Sequence, residues 1–298
     1  MFDFRLKVFY TIAQRGSFSK AAEELHITQP AVTKHVKLLE ERFGQKLFER
    51  KGYRVELTPA GEVLNTHAIA IFEQYQRLEF DMNTLLGAKR GQLEIAASTT
   101  IAQYWLPPIL ALFHQKFPEV QVHLTNVNTE RVERLVVDKE KQLGLIEGST
   151  RKPGLQYEAF LKDEIVLVVG PTNPLATQGT ITLDDLSKLP LLVREPGSGT
   201  RQVLTQTLKA AGKQLDLLNI EMQLGGSESI KSYLSHSNCA AFLSIQTVLK
   251  ELQNGDLTIV DVQNFNVIRQ FYFVQPLGDH SPLTKLFKEF ILLNYNLK

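Results

Sequence analysis

At 298 residues the chain exceeds one small core, and its length predicts two or three domains. Its composition, 43% hydrophobic and 22% charged, is that of a soluble globular protein, and a lone cysteine, Cys239, excludes an intramolecular disulfide and fits a reducing compartment. The net charge of +1 hides an asymmetry: residues 1–58 hold 11 Lys and Arg against 7 Asp and Glu, the remainder 22 against 25, so a basic N-terminal module that suits DNA precedes a mildly acidic body.

From the N-terminus, Phe2 to Arg15 has helical spacing, with Phe2, Leu6, Phe9 and Ala13 on one face, and Gly16 breaks it. Ser17 or Ser19 can cap a second helix whose Phe18, Ala21, Ala22 and Leu25 form a buried face, the two alanines being small where another helix crosses. His26 and Ile27 make a turn. Thr28 then caps a third helix with Pro30 in its first turn, where the missing N–H costs nothing. Val32, Val36 and Leu39 mark its apolar stripe, while Gln29, Thr33, Lys34 and Lys37 lie elsewhere. This is a helix-turn-helix pattern, whose second helix enters the DNA major groove; Gln can pair with adenine, Lys can donate to guanine, and a Thr methyl can meet a thymine methyl. An ordinary pair of helices with a solvated charged face has the same local pattern.

Residues 44–61 read as a β-hairpin turning at Lys51-Gly52, with Leu47, Phe48, Val55 and Leu57 as buried anchors. It would be the wing of a winged helix-turn-helix, with Arg50, Lys51 and Arg54 near its tip for phosphate or minor-groove contact; a plain surface hairpin would carry the same residues. Thr58 and Pro59 start a long helix in which Leu64, Ala68, Ile71, Tyr75, Leu78, Met82 and Leu85 follow a 4-3 spacing, a coiled-coil seam. Such a stripe could also pack on its own domain. Few other apolar residues flank it (Val63, Phe72, Phe80 and Leu86), which favours pairing with a second copy and hence an inverted-repeat DNA site. Residues 87–91 are the hinge candidate.

From Gln92 strands alternate with helices. Strands are expected at 93–97, 120–125, 143–146, around Tyr157, and at 165–169, 191–193, 220–224, 240–243 and 267–274. Helices are expected at 100–116 (interrupted near Pro107-Pro108), 129–138, 200–211, 227–236, 245–252 and 282–293. Repeated β-α units imply parallel sheets with helices on both faces. Three β-to-α junctions carry ligand-binding potential, since ligands of open α/β sheets sit at the carboxyl ends of strands. Ser98-Thr99-Thr100 offers hydroxyls and helix N–H groups; Glu195-Pro196-Gly197-Ser198-Gly199-Thr200 lets the backbone approach a ligand closely; Asn128-Thr129 opens a third helix. Arg201 is the only cation in these turns, so mostly neutral hydrogen bonds are expected. Simple helix capping by the same Ser and Thr residues is the alternative. Glu147 and Glu195 read as polar wall residues.

FYTIAQRGSFSKAAEELHITQPAVTKHVKLLEERFGQKLFER followed by LTPAGE resembles, almost position for position, the N-terminal signature of the LysR-type transcriptional regulators. GQLEIAASTTIAQYWLP, GLIEG, REPGSGTR and GSESIK extend the resemblance nearly to the C-terminus. It implies an overall α/β protein: a winged helix-turn-helix at 1–58, a dimerisation helix at 59–87, and a periplasmic-binding-protein-like effector domain at 88–298. The last would comprise subdomain I (about 91–162 and 267–298) and subdomain II (about 163–266), with crossings near 162–164 and 264–266. The implied DNA-binding residues are Ser17, Thr28, Gln29, Pro30, Thr33, Lys34, Lys37, Arg50 and Arg54. The implied effector pocket takes Ser98, Thr99, Thr100, Thr129, Glu147, Glu195, Gly197, Ser198, Gly199, Thr200 and Ser227. The hydroxyl-rich pocket resembles the subgroup sensing sulfur or nitrogen assimilation metabolites, so a small anion is expected, without a cofactor. Expected partners are double-stranded DNA, a second copy (in the family a dimer of dimers), and RNA polymerase if the protein activates. One departure is Ser237-Asn238-Cys239, where the family has a glycine-rich turn; Asn238 would have to adopt a left-handed backbone.

An enzyme or a solute-binding transport protein would use the same α/β half. The seven histidines show no metal-ligand spacing, no GxSxG, P-loop or dinucleotide fingerprint occurs, and Cys239 reads as core. No apolar N-terminal run resembles a signal peptide and none is long enough to cross a bilayer, so a cytoplasmic protein without membrane contact is expected.

Overall fold

The structure, a computed structural model, describes residues 3–51, 54–84, 91–148, 151–278 and 281–294; the side chains of residues 50, 51, 54 and 72–84 lie outside the description. The chain forms two compact units, residues 1–87 and 88–298.

The first unit begins with α1 (Phe4–Arg15), α2 (Phe18–Glu24) and α3 (Gln29–Phe43). Each has its own cap. Asp3 accepts from Arg5 N at 3.0 Å, Ser17 from Lys20 N at 3.4 Å and Thr28 from Ala31 N at 3.4 Å. The turn between α2 and α3 uses His26 with φ 53°. Val8, Ile12, Ala21, Ala22, Val32 and Val36 form the core where the three helices meet. In α1 the buried face is Val8, Phe9 and Ile12, rotated from the expected stripe; Ala13 is half-buried and Phe2 lies outside the described residues. Strands β1 (Phe48–Lys51) and β2 (Arg54–Leu57) pair antiparallel. Lys51 is in β1 opposite Arg54, one residue further along the hairpin than expected. Helix α4 (Pro59–Thr84) follows, and Thr58 Oγ1 accepts from Gly61 N at 3.0 Å. Ala68 is fully enclosed beside Phe9, Leu39 and Leu47, and Leu64 packs on the same cluster. The first two positions of the expected dimer seam thus face the unit's own core. Ile71, 47% exposed, is the first free seam position; Leu85 and the side chains of Tyr75, Leu78 and Met82 lie outside the description. The hinge candidate at 87–90 lies outside it too.

The second unit begins with β3 (Gly91–Ala97), a π-helical turn (Ile101–Trp105), α5 (Leu106–Lys116), β4 (Val120–Asn126), α6 (Thr129–Val137) and β5 (Leu143–Glu147). The π turn ends just before Pro107-Pro108, where an interruption was expected, and the two prolines lie in the first turn of α5. Next come β6 (Leu155–Val169), α7 (Leu175–Gln178), β7 (Thr180–Ile181), β8 (Leu191–Arg194), α8 (Gly199–Ala210), β9 (Ile220–Leu224), α9 (Ser227–Leu234) and β10 (Ala240–Ser244). The unit ends with α10 (Ile245–Asn254), β11 (Thr258–Val262), β12 (Val267–Pro276) and α11 (Pro282–Asn294).

The strands run β4-β3-β5-β12-β6-β10-β8-β9, with β11 joining β6 to β7. β3 is parallel to β4 and β5, and β8 is parallel to β9 and β10. β6 and β12 are antiparallel to each other, from Ile165 opposite Val267 to Leu155 opposite Pro276. These two strands serve both subdomains. The far part of β12, Phe271–Val274, pairs with β5, while Ile165–Val169 of β6 pairs with β10.

One long β6 replaces the two strands expected around Tyr157 and at 165–169. Lys162-Asp163-Glu164 looks like a break in the alternation, yet Asp163 stands opposite Arg269 of β12 and its charge is matched there. β7, β11 and α7 are short elements that sequence spacing did not reveal. Asn238 is not left-handed; the described non-glycine residues with positive φ are His26, Lys139 and Asn264. Its turn is held instead by Asn173, whose Nδ2 donates to Asn238 O at 2.7 Å. Cys239 is buried in the core with Ile230, Leu234 and Ala241.

Candidate functional site

In the first unit, α3 turns Val32, Val36 and Leu39 inward. That leaves Gln29, Pro30, Lys34 and Lys37 exposed, with Thr33 half-buried and its Oγ1 donating to Gln29 O at 3.1 Å. Gln29, Thr33 and Lys37 also line a groove of about 260 Å³ against Phe48 and Val55 of the hairpin. Polar and cationic groups thus share one face, next to the hairpin. Ser17 and Thr28 occupy the N-caps of α2 and α3, where each fixes the start of its helix. The backbone of Arg50 and Arg54 lies in β1 and β2; their side chains are outside the description.

In the second unit, Ser98, Thr100, Thr129, Glu147, Ser198, Gly199 and Thr200 are buried where the two subdomains meet. At Gly199 the backbones approach closely: a Cβ there would lie 2.3 Å from Glu147 O. The junctions interlock by hydrogen bonds. Ser98 Oγ donates to a Glu147 carboxylate oxygen, and Thr129 Oγ1 donates to Glu147 O at 2.9 Å. Glu130 N donates to Gly197 O at 3.1 Å, and Asn128 Nδ2 to Pro196 O at 3.3 Å. Ser198 caps α8. Beside this contact a cavity of about 550 Å³ runs between α6 and α8, lined by Thr129, Glu130, Lys152, Ser198, Arg201 and Gln202.

The centre of the site was not foreseen. Arg269 of β12 has a fully buried side chain and contacts both subdomains. Its Nε donates to Asp163 Oδ2 at 2.6 Å, Nη1 to Thr200 Oγ1 at 2.8 Å, and Nη2 to Thr100 Oγ1 at 3.3 Å. Glu147 Oε1 lies 3.4 Å from Nη1, and Ser244 Oγ donates to Asp163 Oδ1 at 2.9 Å. The expectation of mostly neutral hydrogen bonds is therefore corrected: a buried cation and two carboxylates lie under the hydroxyls. A sequence signal existed. Val267, Phe271 and Phe273 all point into the core, and period-2 alternation puts Arg269 on the same side.

Glu195 and Ser227 belong to a neighbouring cluster at the start of α9. Arg194, itself buried, donates from Nε and Nη2 to the Glu195 carboxylate at 2.8 and 3.0 Å. Burial pushes the Glu195 carboxyl up, but Arg194 and the Gly226 N–H outweigh it and hold the group below the ordinary carboxylate range. Tyr104, on the π turn, donates to Glu228 of α9, and Lys231 lies 2.8 Å from Glu228. Burial and Glu228 together push the Tyr104 hydroxyl upward, so it stays protonated and able to donate. Tyr104, Arg194 and Lys231, like Asp163 and Arg269, were missed at the sequence level. Thr99 is half-buried at the edge of this region.

Among the described residues no group of three His, Cys, Asp or Glu side chains is placed to hold a metal ion, and no helix is long and apolar enough to cross a membrane.

Residues 4–62 match the bacterial regulatory helix-turn-helix protein model of the lysR family, and residues 86–294 match the LysR substrate binding domain. The chain belongs to the LysR family of transcriptional regulators. This LysR-family regulator is 32% identical to the RuBisCO operon transcriptional regulator of Allochromatium vinosum, over 97% of this chain and 94% of that one. It is 30% identical to the transcriptional regulator CysL of Bacillus subtilis, over 97% and 96% respectively. The structure of CrgA, a LysR-type regulator from Neisseria meningitidis, has the same fold: TM-score 0.71 at 21% identity, covering 99% of this chain and 98% of that one. A LysR-family regulator binds DNA through the N-terminal unit, self-associates, and takes an effector in the C-terminal domain. The relatives do not favour a sulfur-related subgroup over others.

Proposed function

We propose that this regulator reads an inverted-repeat operator with Gln29, Pro30, Thr33, Lys34 and Lys37, positions that helix through Ser17 and Thr28, and holds the DNA backbone with Arg50 and Arg54. A small anionic effector, of the kind sensed in sulfur or nitrogen assimilation, occupies the cleft formed by Ser98, Thr99, Thr100, Thr129, Glu147, Gly197, Ser198, Gly199 and Thr200, with Glu195 and Ser227 at its edge. The working form is a dimer of dimers, joined in part through α4 beyond Ile71, and it contacts RNA polymerase when it activates.

The observation that carries the effector reading is convergence: hydroxyls from two β-to-α junctions on different subdomains, Thr100 and Thr200, meet at one guanidinium. A ligand bound there touches both subdomains and so has different contacts in their open and closed arrangements, which is what a shift between two states requires. The test is a thermal-shift screen of the full chain against sulfate, thiosulfate, phosphate, nitrite, O-acetylserine and acidic aromatic metabolites. A ligand at about a hundred times its dissociation constant stabilises by roughly 2.7 kcal/mol. A hit lost in Thr100→Ala or Thr200→Ala supports the cleft. Silence across the panel would leave Thr100 and Thr200 as structural acceptors for Arg269.

A further inference from the structure

Resting on the cleft reading above, we infer that Arg269 is the residue that decides what the effector must look like: an oxyanion with two terminal oxygens that take both Nη groups at once. The guanidinium is divided in its duties. Nε is fixed on Asp163 at 2.6 Å, and Asp163 is itself fixed by Ser244, so the arginine is anchored from the crossover strands. Nη1 and Nη2 face Thr200 and Thr100, neutral hydroxyls from opposite subdomains. Those bonds are exchangeable. A hydroxyl that accepts from arginine can rotate and donate to an oxyanion instead. A carboxylate, sulfate or phosphate entering between the two threonines would replace two neutral acceptors on the arginine fork by charged ones. It would also gain a donor from each subdomain.

Glu147 sets the opposing term. At 3.4 Å from Nη1 its carboxylate is the looser of the two that face Arg269, and Ser98 holds it in place. With Asp163 already matching the arginine, Glu147 is the surplus negative charge, and it stands beside the position the anion would take. Weak retention of the anion follows, which suits a sensor that must release its ligand. Removing that charge should tighten binding.

The experiment measures the affinity of the full chain for sulfate, phosphate and acetate, by calorimetry and thermal shift, against chloride at matched ionic strength. Arg269→Lys keeps a cation beside Asp163 and removes the fork. It should weaken the oxyanions at least about tenfold while leaving the smaller chloride response unchanged, a selectivity a merely structural arginine would not control. Glu147→Gln should tighten them at least about fivefold, by loss of a like charge at close range. Oxyanion binding unchanged in Arg269→Lys overturns the inference. In that event loss of binding in Thr100→Val keeps the cleft reading alive without Arg269. If Arg269→Lys does not fold, Glu147→Gln decides alone, and unchanged or weaker binding refutes the role. No saturable oxyanion binding by the unaltered chain refutes both readings.

Discussion

Gly199→Ala adds one methyl group at the contact between the start of α8 and the end of β5. The new Cβ would lie 2.3 Å from Glu147 O, 2.5 Å from Glu147 Cγ and 2.8 Å from Thr129 Oγ1. Ordinary contacts are 3.4–4 Å, so the two elements must separate by about 1 Å. The φ of Gly199 is outside the left-handed range, so alanine meets no backbone objection and the effect is steric. Overpacking of this kind costs about 1–3 kcal/mol. The separation also pulls Thr200 from Arg269, and a hydrogen bond to a charged group contributes about 1.5–3 kcal/mol. Better helix propensity returns at most about 1 kcal/mol. The net loss should be about 2–4 kcal/mol, located in the C-terminal unit. The chain's single tryptophan, Trp105, is buried there against Phe160, so urea unfolding followed by its fluorescence reports this unit alone. A variant within about 0.5 kcal/mol of the parent would show that the junction yields freely and that Gly199 does not set the subdomain contact.

The N-terminal unit gives two expectations. Thr28→Ala removes the cap of α3 and should cost about 1 kcal/mol in that unit, read by the loss of helical circular dichroism on heating. Arg54→Gln should weaken operator binding alike across sequences and lower the slope of affinity against salt by about one, whereas Gln29→Ala should lose about 1–3 kcal/mol of discrimination at one base; filter-binding titrations over a salt series separate the two. Ile71→Asp places a charge on the exposed part of α4 and should shift the chain toward monomer in sedimentation at micromolar concentration; an unchanged oligomer would move the seam elsewhere. Glu195 is held below its ordinary value of 4.5. The unfolded chain therefore takes up its proton first as pH falls, so its contribution is full above that value and disappears as pH drops through the folded one. The urea midpoint of the C-terminal unit should begin to fall as pH drops through about 4.5 and go on falling below it, and Arg194→Gln should flatten that fall.

How much of this was legible in the sequence depended on whether the signal was local. The caps Ser17 and Thr28 and the stripe Val32–Val36–Leu39 are short-range patterns, and each has the expected neighbour. The β-to-α junctions were legible for the same reason, since a Ser or Thr before a helix marks it directly. What escaped were residues whose meaning lies in a distant partner. Asp163 and Arg269 are 106 residues apart and adjacent in space; alone, Asp163 fell in a crossing expected between two strands and Arg269 was one charge inside an expected strand. Ala68 looked like a seam residue because periodicity tells which side of a helix is apolar, not whose core covers it.

The way the second unit divides its interactions bears on why its centre is ionic. Val168, Leu192, Ile230 and Leu243 pack within one subdomain, and Ala96, Val132, Val136 and Ile146 within the other. The contacts that span them at the cleft are polar: Arg269 with Thr100 and Thr200, Tyr104 with Glu228, Glu130 with Gly197. A buried ion cluster adds little net stability compared with apolar packing, because desolvation offsets the attraction. Stability alone would favour leucines at positions 163 and 269. Apolar packing across the cleft, however, would hold one arrangement and offer an entering anion nothing to exchange. Polar contacts can be replaced partner for partner, so closure with ligand and closure without it differ by a small free energy. That near-balance is the condition under which a weakly bound metabolite can shift a population. It predicts that Asp163→Leu and Arg269→Leu combined with Glu147→Gln, which leaves no unmatched charge in the cluster, gives a regulator at least as stable as the parent by Trp105 fluorescence, yet one whose operator affinity no longer responds to any oxyanion. A triple variant that kept its response would place the switch outside this cluster.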